Sequence, residues 1–447
     1  MVHGSLAGIQ FDVADNLELV RGVVGFKLAR LRLATAAIPR HRRGSKLRAL
    51  MNHLLNRVDK ELEALAQEEA QAVGVDALHD VVTRKYERLS PQLDSLHEIL
   101  AAFRDAVGRS DVPVGLQHLI DVLMETVVID QGDPIVQLSA VNMYSTIDLV
   151  AWVDDLFSRT GSPPAAYSGN HPIAFNLPAL DPQNALLAPI LAHEVGHTAV
   201  NQSLLRALEV AIDPAPVEAL LAMQLSIAGL HPSGAEAGEW VASFQAWCAE
   251  LICDAIAIAV TGPSFVLAFC AFAPPSASAQ VGTHPSERDR IRIQLKQLDE
   301  RGWTPTMERD FPSLTAWLRD ASNNMTLTGT AKETFLRGAI ALIENEIIAV
   351  AEQHIASGFD PKSADASISA AADWLSHGVP AVEFEGEVLG PWAIVMAGWI
   401  ATFREHGDDP ASLASGVGDT AFNAVVVKAL EMSSIVTAWR AHERSAS

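Results

Sequence analysis

This sequence predicts a mainly α fold (α+β) with a small β-sheet, and three observations carry the expectation. Long stretches free of Gly and Pro repeat their apolar residues at helical spacing. Partial period-two alternation occurs over residues 134–140, and a second short apolar run, 173–177, stands between prolines. Hydrophobic residues make up 49% of the 447-residue chain, ample for a large buried interior. A chain of this length is expected to hold two or three domains, or one core with helical additions. The pattern divides into a helical N-terminal region (1–125), a central core (126–298) and a helical C-terminal region (299–447).

In the first region, residues 47–72 place Leu50, Leu54, Val58, Leu62 and Leu65 on one helical face. Residues 75–104 give a second amphipathic stretch, with a break expected at Ser90-Pro91. Asp111-Val112-Pro113 reads as a loop and 114–127 as another helix. No heptad pattern persists and no internal repeat is present. Residues 134–140 read as a strand, and 158–170, with Gly161, Pro163, Pro164 and Gly169, as an exposed loop. The short strand carrying Ile173, Ala174, Phe175 and Asn176 lies between Pro172 and Pro178, which suits an edge. Leading into the central helices, it is a candidate edge for strand addition by an extended segment, with an ordinary extended connector as the alternative. Residues 240–260 form a helix ended by Gly262-Pro263, and 273–282 a loop. Helices are expected again over 331–357, 367–377, 391–405 and 419–445, the last three separated by segments 386–390 and 407–416.

The chemistry concentrates in His193-Glu194-Val195-Gly196-His197. Histidines four apart on a helix share a face and can clamp one metal ion, while the intervening glutamate reaches a water on that ion. The run 185–191 is apolar, Pro189 fits a first helical turn, and 198–208 continues without Gly or Pro, so the motif sits in a buried helix. A third ligand is required. Val200 and Ser203 stand where a metzincin needs Gly and His, which excludes that class. Glu209, Glu218, Glu236, Glu239 and Glu250 all follow the motif. Glu250 stands out because it lies on the long apolar helix, with Asp254 one turn later on the same face. Two acids among Leu251, Ile252, Ala255 and Ile256 are costly unless a cation offsets them. Glu250 can complete a His-His-Glu set with one open position, and Asp254 can accept the other ring N–H of a ligand histidine.

A third element, Thr283-His284-Pro285-Ser286, is followed by Arg290. The three pieces in this order resemble the gluzincin peptidases of the HtpX and CAAX prenyl protease family, over roughly residues 172–298. The resemblance implies a zincin-like core binding one Zn2+ through His193, His197 and Glu250, with Glu194 as general base and Asp254 behind the ligands. It implies further that His284 and Arg290 line the site. A histidine there can donate to an oxyanion, and an arginine can hold a ligand carboxylate or the substrate backbone. The activity implied is that of a zinc metallopeptidase acting on a peptide or protein. Members of the family are often integral membrane proteins, whereas the best apolar stretches here, 251–272 and 391–403, are interrupted or too short to span. A soluble form without a membrane span is therefore expected. The alternatives are a non-catalytic helical scaffold with a structural metal site, or a peptidase restrained until a partner opens it. An intact Glu194 argues against the scaffold, which needs no base.

A formal net charge of −22 argues against nucleic acid as a partner. Residues 21–57 dissent, being basic without Asp or Glu around Arg40-His41-Arg42-Arg43; docking on the acidic remainder of the chain or on a partner is expected. Cys248, Cys253 and Cys270 form no paired framework and read as core residues. Acids at Asp12, Asp15 and Glu18 break any apolar leader, and a reduced, cytoplasmic protein is expected.

Overall fold

The computed structural model of the chain describes residues 13–38, 42–73, 85–108, 112–127, 132–139, 144–159, 167, 171–178, 183–200, 225–226, 234–273, 284–323 and 330–446. Chain order begins with α1 (Val13–Ala36), α2 (Arg42–Gln71), α3 (Glu87–Gly108) and α4 (Val114–Thr126). β1 (Gly132–Ser139), β2 (Ser145–Asp148), α5 (Leu149–Arg159) and β3 (His171–Pro178) follow. Next come α6 (Ile190–Val200), α7 (Gly234–Thr261), α8 (Pro263–Phe272), α9 (Glu287–Glu300), α10 (Thr304–Asp310) and α11 (Pro312–Asn323). The chain closes with α12 (Ala331–Leu342), α13 (Glu344–Gln353), α14 (Pro361–Ser376), β4 (Glu383–Phe384), β5 (Glu387–Val388), α15 (Pro391–His406), α16 (Pro410–Gly418) and α17 (Thr420–Ala446). Mainly helical with little sheet, the fold class is the one expected.

Contacts divide the chain into two compact units. The first comprises Met1–Ser110, Gln131–Gln137 and Ile147–Ala174. Its core joins Val24, Leu28 and Leu31 of α1, Leu47, Leu50, Leu54, Val58 and Leu65 of α2, Leu96, Ile99 and Phe103 of α3, and Val153 and Phe157 of α5. The periodic leucines of 47–72 thus face inward, Leu62 only partly. No break occurs at Ser90-Pro91. Pro91 lies inside α3, and the helix runs through it at the loss of one intrahelical hydrogen bond. Basic residues of 21–57 pair within this unit: Arg21 with Glu69, Arg32 with Asp59, Lys27 with Asp94 at 2.6 Å and Arg57 with Glu61 at 3.2 Å.

Strands β1, β3 and β2 form one sheet in that order, so β3 is central. This corrects the edge-strand expectation for 173–176. Ile173, Ala174 and Phe175 are fully buried and Asn176 nearly so. Both sides of β3 already carry strand partners, which leaves no room for an added substrate strand. The prolines at Pro172 and Pro178 fall at the strand ends and spare the ladder between them. β2 had no sequence signal beyond the short Ser145-Thr146-Ile147-Asp148.

The second unit, Asp111–Asp130, Leu138–Thr146 and Phe175–Ser447, is built around α7. Apolar side chains such as Phe244, Trp247, Leu251, Ile252, Ile256 and Val260 bury this helix on several faces, and α6, α8, α9, α12 and α13 pack against it. A helix hydrophobic all round must be enclosed. Helices after residue 299 supply part of that enclosure, which is why the C-terminal region is not separate from the core. Gly262 at φ 62° ends α7, and Pro263 opens α8. The single helix expected over 331–357 is two, α12 and α13, parted at Ile343. Segment 407–416 is not only a separator, because Asp409 caps α16 through Ala411 N and Ser412 N. Glu385 and Gly386, at φ 50° and 83°, turn the β4–β5 hairpin.

Among the described residues, two helical segments are long and apolar enough to cross a membrane, Glu236–Thr261 in α7 and Thr420–Ser445 in α17. Most of the first lies inside the unit; the second is less than half buried.

Candidate metal centre

Short-range bonds prepare α6. Asn184 Oδ1 accepts from Leu187 N, and Ala188, Ile190, Leu191 and Ala192 each donate to the carbonyl three residues back, so the chain enters the helix through tight turns around Pro189. Along α6, His193 and His197 sit one turn apart with ring centroids 4.9 Å apart and ring planes perpendicular. Thr146 Oγ1 donates to the Glu194 carbonyl at 2.7 Å and ties down the helix. Gly196 faces α7. A Cβ there would stand 3.0 Å from Cys253 Cα, so any larger residue requires the two helices to give by a few tenths of an ångström.

That approach brings Glu250 to the histidines. His193 Nε2 lies 3.3 Å from Glu250 Oε2, and His197 Nε2 lies 3.4 Å from Glu250 Oε1. The three ligand atoms all fall within 4.8 Å of one another. Bonds of about 2.0–2.1 Å in tetrahedral directions put ligand atoms roughly 3.3 Å apart, close to the two histidine–glutamate separations. His193, His197 and Glu250 can hold a metal ion. His197 keeps 30% of its side chain exposed against 7% for His193, so the cluster opens on the His197 side.

Asp254 stands behind His193, with Oδ1 2.8 Å from Nδ1. Asp254 has no proton to give, so Nδ1–H donates, and in the neutral ring it is Nε2 that holds the lone pair facing the cluster. Arg290 grips the same carboxylate with both arms, Nε to Oδ2 at 2.8 Å and Nη2 to Oδ1 at 2.5 Å, and its Nη1 lies 3.4 Å from Glu250 Oε2. Gln294 Nε2 adds a fourth donor at 2.9 Å. Phe265 stacks on the His193 ring at 6.0 Å, and Phe269 lies under the Arg290 guanidinium at 4.4 Å.

These contacts set the charges. Burial opposes charge on His193, yet hydrogen bonds to Asp254 and Glu250 hold its pKa up at about 9. Burial and the neighbouring His193 push His197 down to about 4. Burial acts to raise both Asp254 and Glu250, but Arg290 and His193 at Asp254, and chiefly His193 at Glu250, bring them below the usual carboxylate range. Arg290 is raised, since Asp254 and Glu250 outweigh its burial. Glu194 moves the other way: burial lifts it, only partly offset by His193.

Most expected site residues thus converge: His193, Glu194 and His197 on α6, Glu250 and Asp254 on α7, Arg290 on α9, and His284, whose Nε2 lies 3.2 Å from Glu250 Oε1 on a 64% exposed side chain. Arg290 donates to Asp254 through Nε and Nη2 and lies against Glu250, so it holds the carboxylates of α7. Residues 173–176 do not serve as a substrate strand, and Asn176 Nδ2 is spent on Ser145 Oγ at 2.8 Å. The available sheet edges belong to β1 and β2. Sequence reasoning missed Gln294, Phe265 and Phe269. Gln294 had a usable signal, four residues after Arg290 on the same face of α9. Cys253 and Cys248 are buried with raised thiol pKa values, as inert core residues require.

Comparison with family models, with curated proteins and with solved structures gives no match to this chain.

Proposed function

We propose that this chain is a zinc metallopeptidase of gluzincin type. The observation that carries the reading is the His193–His197–Glu250 cluster with Glu194 on the same helix. Two imidazoles, one carboxylate and an open side suit zinc in a catalytic role better than a closed structural site, which takes four protein ligands. Charge supports a divalent ion. With Glu194 ionised, three carboxylates face one guanidinium, and the two net negative charges match those of the cation.

When bound, zinc supplies Lewis-acid polarisation of the scissile carbonyl and acidifies a water in the open position. The chain's own residues do the rest. Glu194 takes the water's proton on a carboxylate oxygen and delivers it to the leaving nitrogen as the C–N bond breaks. Its raised pKa brings it nearer to neutrality, which favours both halves of that transfer. Asp254 fixes the His193 tautomer, and Arg290 holds Asp254 and Glu250 in place. His284 is assigned to the developing oxyanion, since it is exposed beside Glu250.

The test is Glu194→Gln, an isostere that cannot accept the proton. Zinc content by elemental analysis is expected to match wild type, while cleavage of a mixed peptide library falls by about a hundredfold or more. Absence of zinc-dependent cleavage by wild type, or unimpaired cleavage by the variant, overturns the assignment.

A further inference from the structure

We propose that the outer face of α1 is a self-association surface, on which α1 of a second copy lies antiparallel. The face is apolar and uncovered. Leu19, Val23, Phe26 and Leu33 are 64%, 42%, 62% and 73% exposed. Their spacing puts them on one stripe, roughly opposite Val24, Leu28 and Leu31, which are buried in the core of the same unit. A helix with two apolar faces has one more than its own unit uses. The stripe borders a groove of about 780 Å³ between α1 and α3, lined among others by Leu19, Gly22, Val23, Phe26, Leu93 and His97.

Shape favours a helix as occupant. A Cβ at Gly22 or Gly25 would find nothing within 4 Å, so the backbone of α1 lies open to close approach beside the projecting Phe26. Charge favours a second copy, and in one orientation. Among the described residues of this face, Arg21, Lys27 and Arg32 are engaged by Glu69, Asp94 and Asp59 within the unit. Glu18 and Arg30 are the exposed charges that no described residue pairs, apart from Arg30 lying 5.7 Å from the Phe26 ring centroid. They stand at opposite ends of the stripe. Antiparallel pairing that sets Phe26 of one copy level with Gly22 of the other brings Glu18 of each level with Arg30 of the other. Parallel pairing sets like charges together. A two-fold axis repeats every contact, the self-complementarity that a symmetric dimer requires. The 24 residues of α1 span about 36 Å, long enough to approach the ~1,000 Å² of a specific interface. An anionic membrane is the poorer occupant, because the chain carries −22 overall and the other cations of this face are already neutralised.

The experiment is sedimentation analysis of the full chain over a concentration series, with far-UV circular dichroism to confirm folding of each variant. Wild type is expected to show a monomer–dimer equilibrium that Phe26→Asp abolishes. Glu18→Arg and Arg30→Glu are each expected to weaken the dimer by about tenfold, and the double reversal to recover most of the loss. Three results overturn the proposal: a wild type monomeric up to about 100 μM, a dimer unaffected by Phe26→Asp, or a monomer that binds phosphatidylserine vesicles through this face.

Discussion

Asp254→Asn is the change that best probes the site, because it keeps the shape of a buried side chain and removes its charge. Four donors converge on Asp254: His193 Nδ1 and Arg290 Nη2 at Oδ1, Arg290 Nε and Gln294 Nε2 at Oδ2. An asparagine can accept at one position only, and its NH₂ must point at donors on the other. Arg290 is then left buried with Glu250, 3.4 Å away, as its remaining counter-ion. Breaking one side of a buried pair costs about 3–5 kcal/mol, a large part of a typical folding stability of roughly 5–15 kcal/mol. The loss of the His193 acceptor also frees its tautomer, which weakens metal binding by about ten- to a hundredfold. Urea denaturation with a chelator present reads the first effect, and competition against a chromophoric chelator the second. Adding Arg290→Met should restore much of the stability, since it removes the stranded buried charge, but not the metal affinity. If Asp254→Asn costs under about 1 kcal/mol and leaves metal affinity unchanged, the argument that this carboxylate organises the centre is wrong.

Metal binding should depend on pH through His193. Its folded pKa of about 9 lies above the ordinary 6.5, so the protonated form stabilises the metal-free fold fully below about 6.5, and that contribution is lost as pH rises through 9. Over the same window metal affinity should rise by about tenfold per unit, with one proton released per ion at pH 7, measurable by calorimetry in buffers of different ionisation enthalpy. His197, already neutral above about 4, contributes nothing there; release of two protons would contradict the assignment. His284→Ala should keep the metal and lower kcat by roughly a hundredfold; unchanged turnover would return His284 to a loop role. Gly196→Ala should destabilise by about 1–3 kcal/mol in urea denaturation, because the new methyl meets Cys253; a neutral effect would mean the two helices part freely.

Much of the centre was legible because a helix converts spacing into geometry. His193 and His197 had to share a face, as did Glu250 and Asp254, and an apolar helix carrying two acids needed a cation. Arg290 answers part of that need, and the cluster on the other side of Glu250 can hold a metal ion. The periodic leucines of α2 and the all-round apolarity of α7 likewise announced a core face and an enclosed helix. Strand order, by contrast, is a non-local property. Nothing in Ile173-Ala174-Phe175-Asn176 tells a central strand from an edge, since both are short apolar runs and the neighbours come from segments about thirty or more residues away. Helix packing is equally non-local: helices beyond residue 299 pack on α7 because it has faces left to cover, and no composition shift records that. Gly196 is the clearest case of the division. The sequence by itself determined two residue pairs, His193 with His197 and Glu250 with Asp254, one on each of two helices. Only the tertiary structure decided that these helices meet at a glycine opposite Cys253, close enough for Glu250 to reach both histidines. Side-chain periodicity is fixed by the chain's own backbone, whereas the distance between two helices depends on every residue packed between and around them.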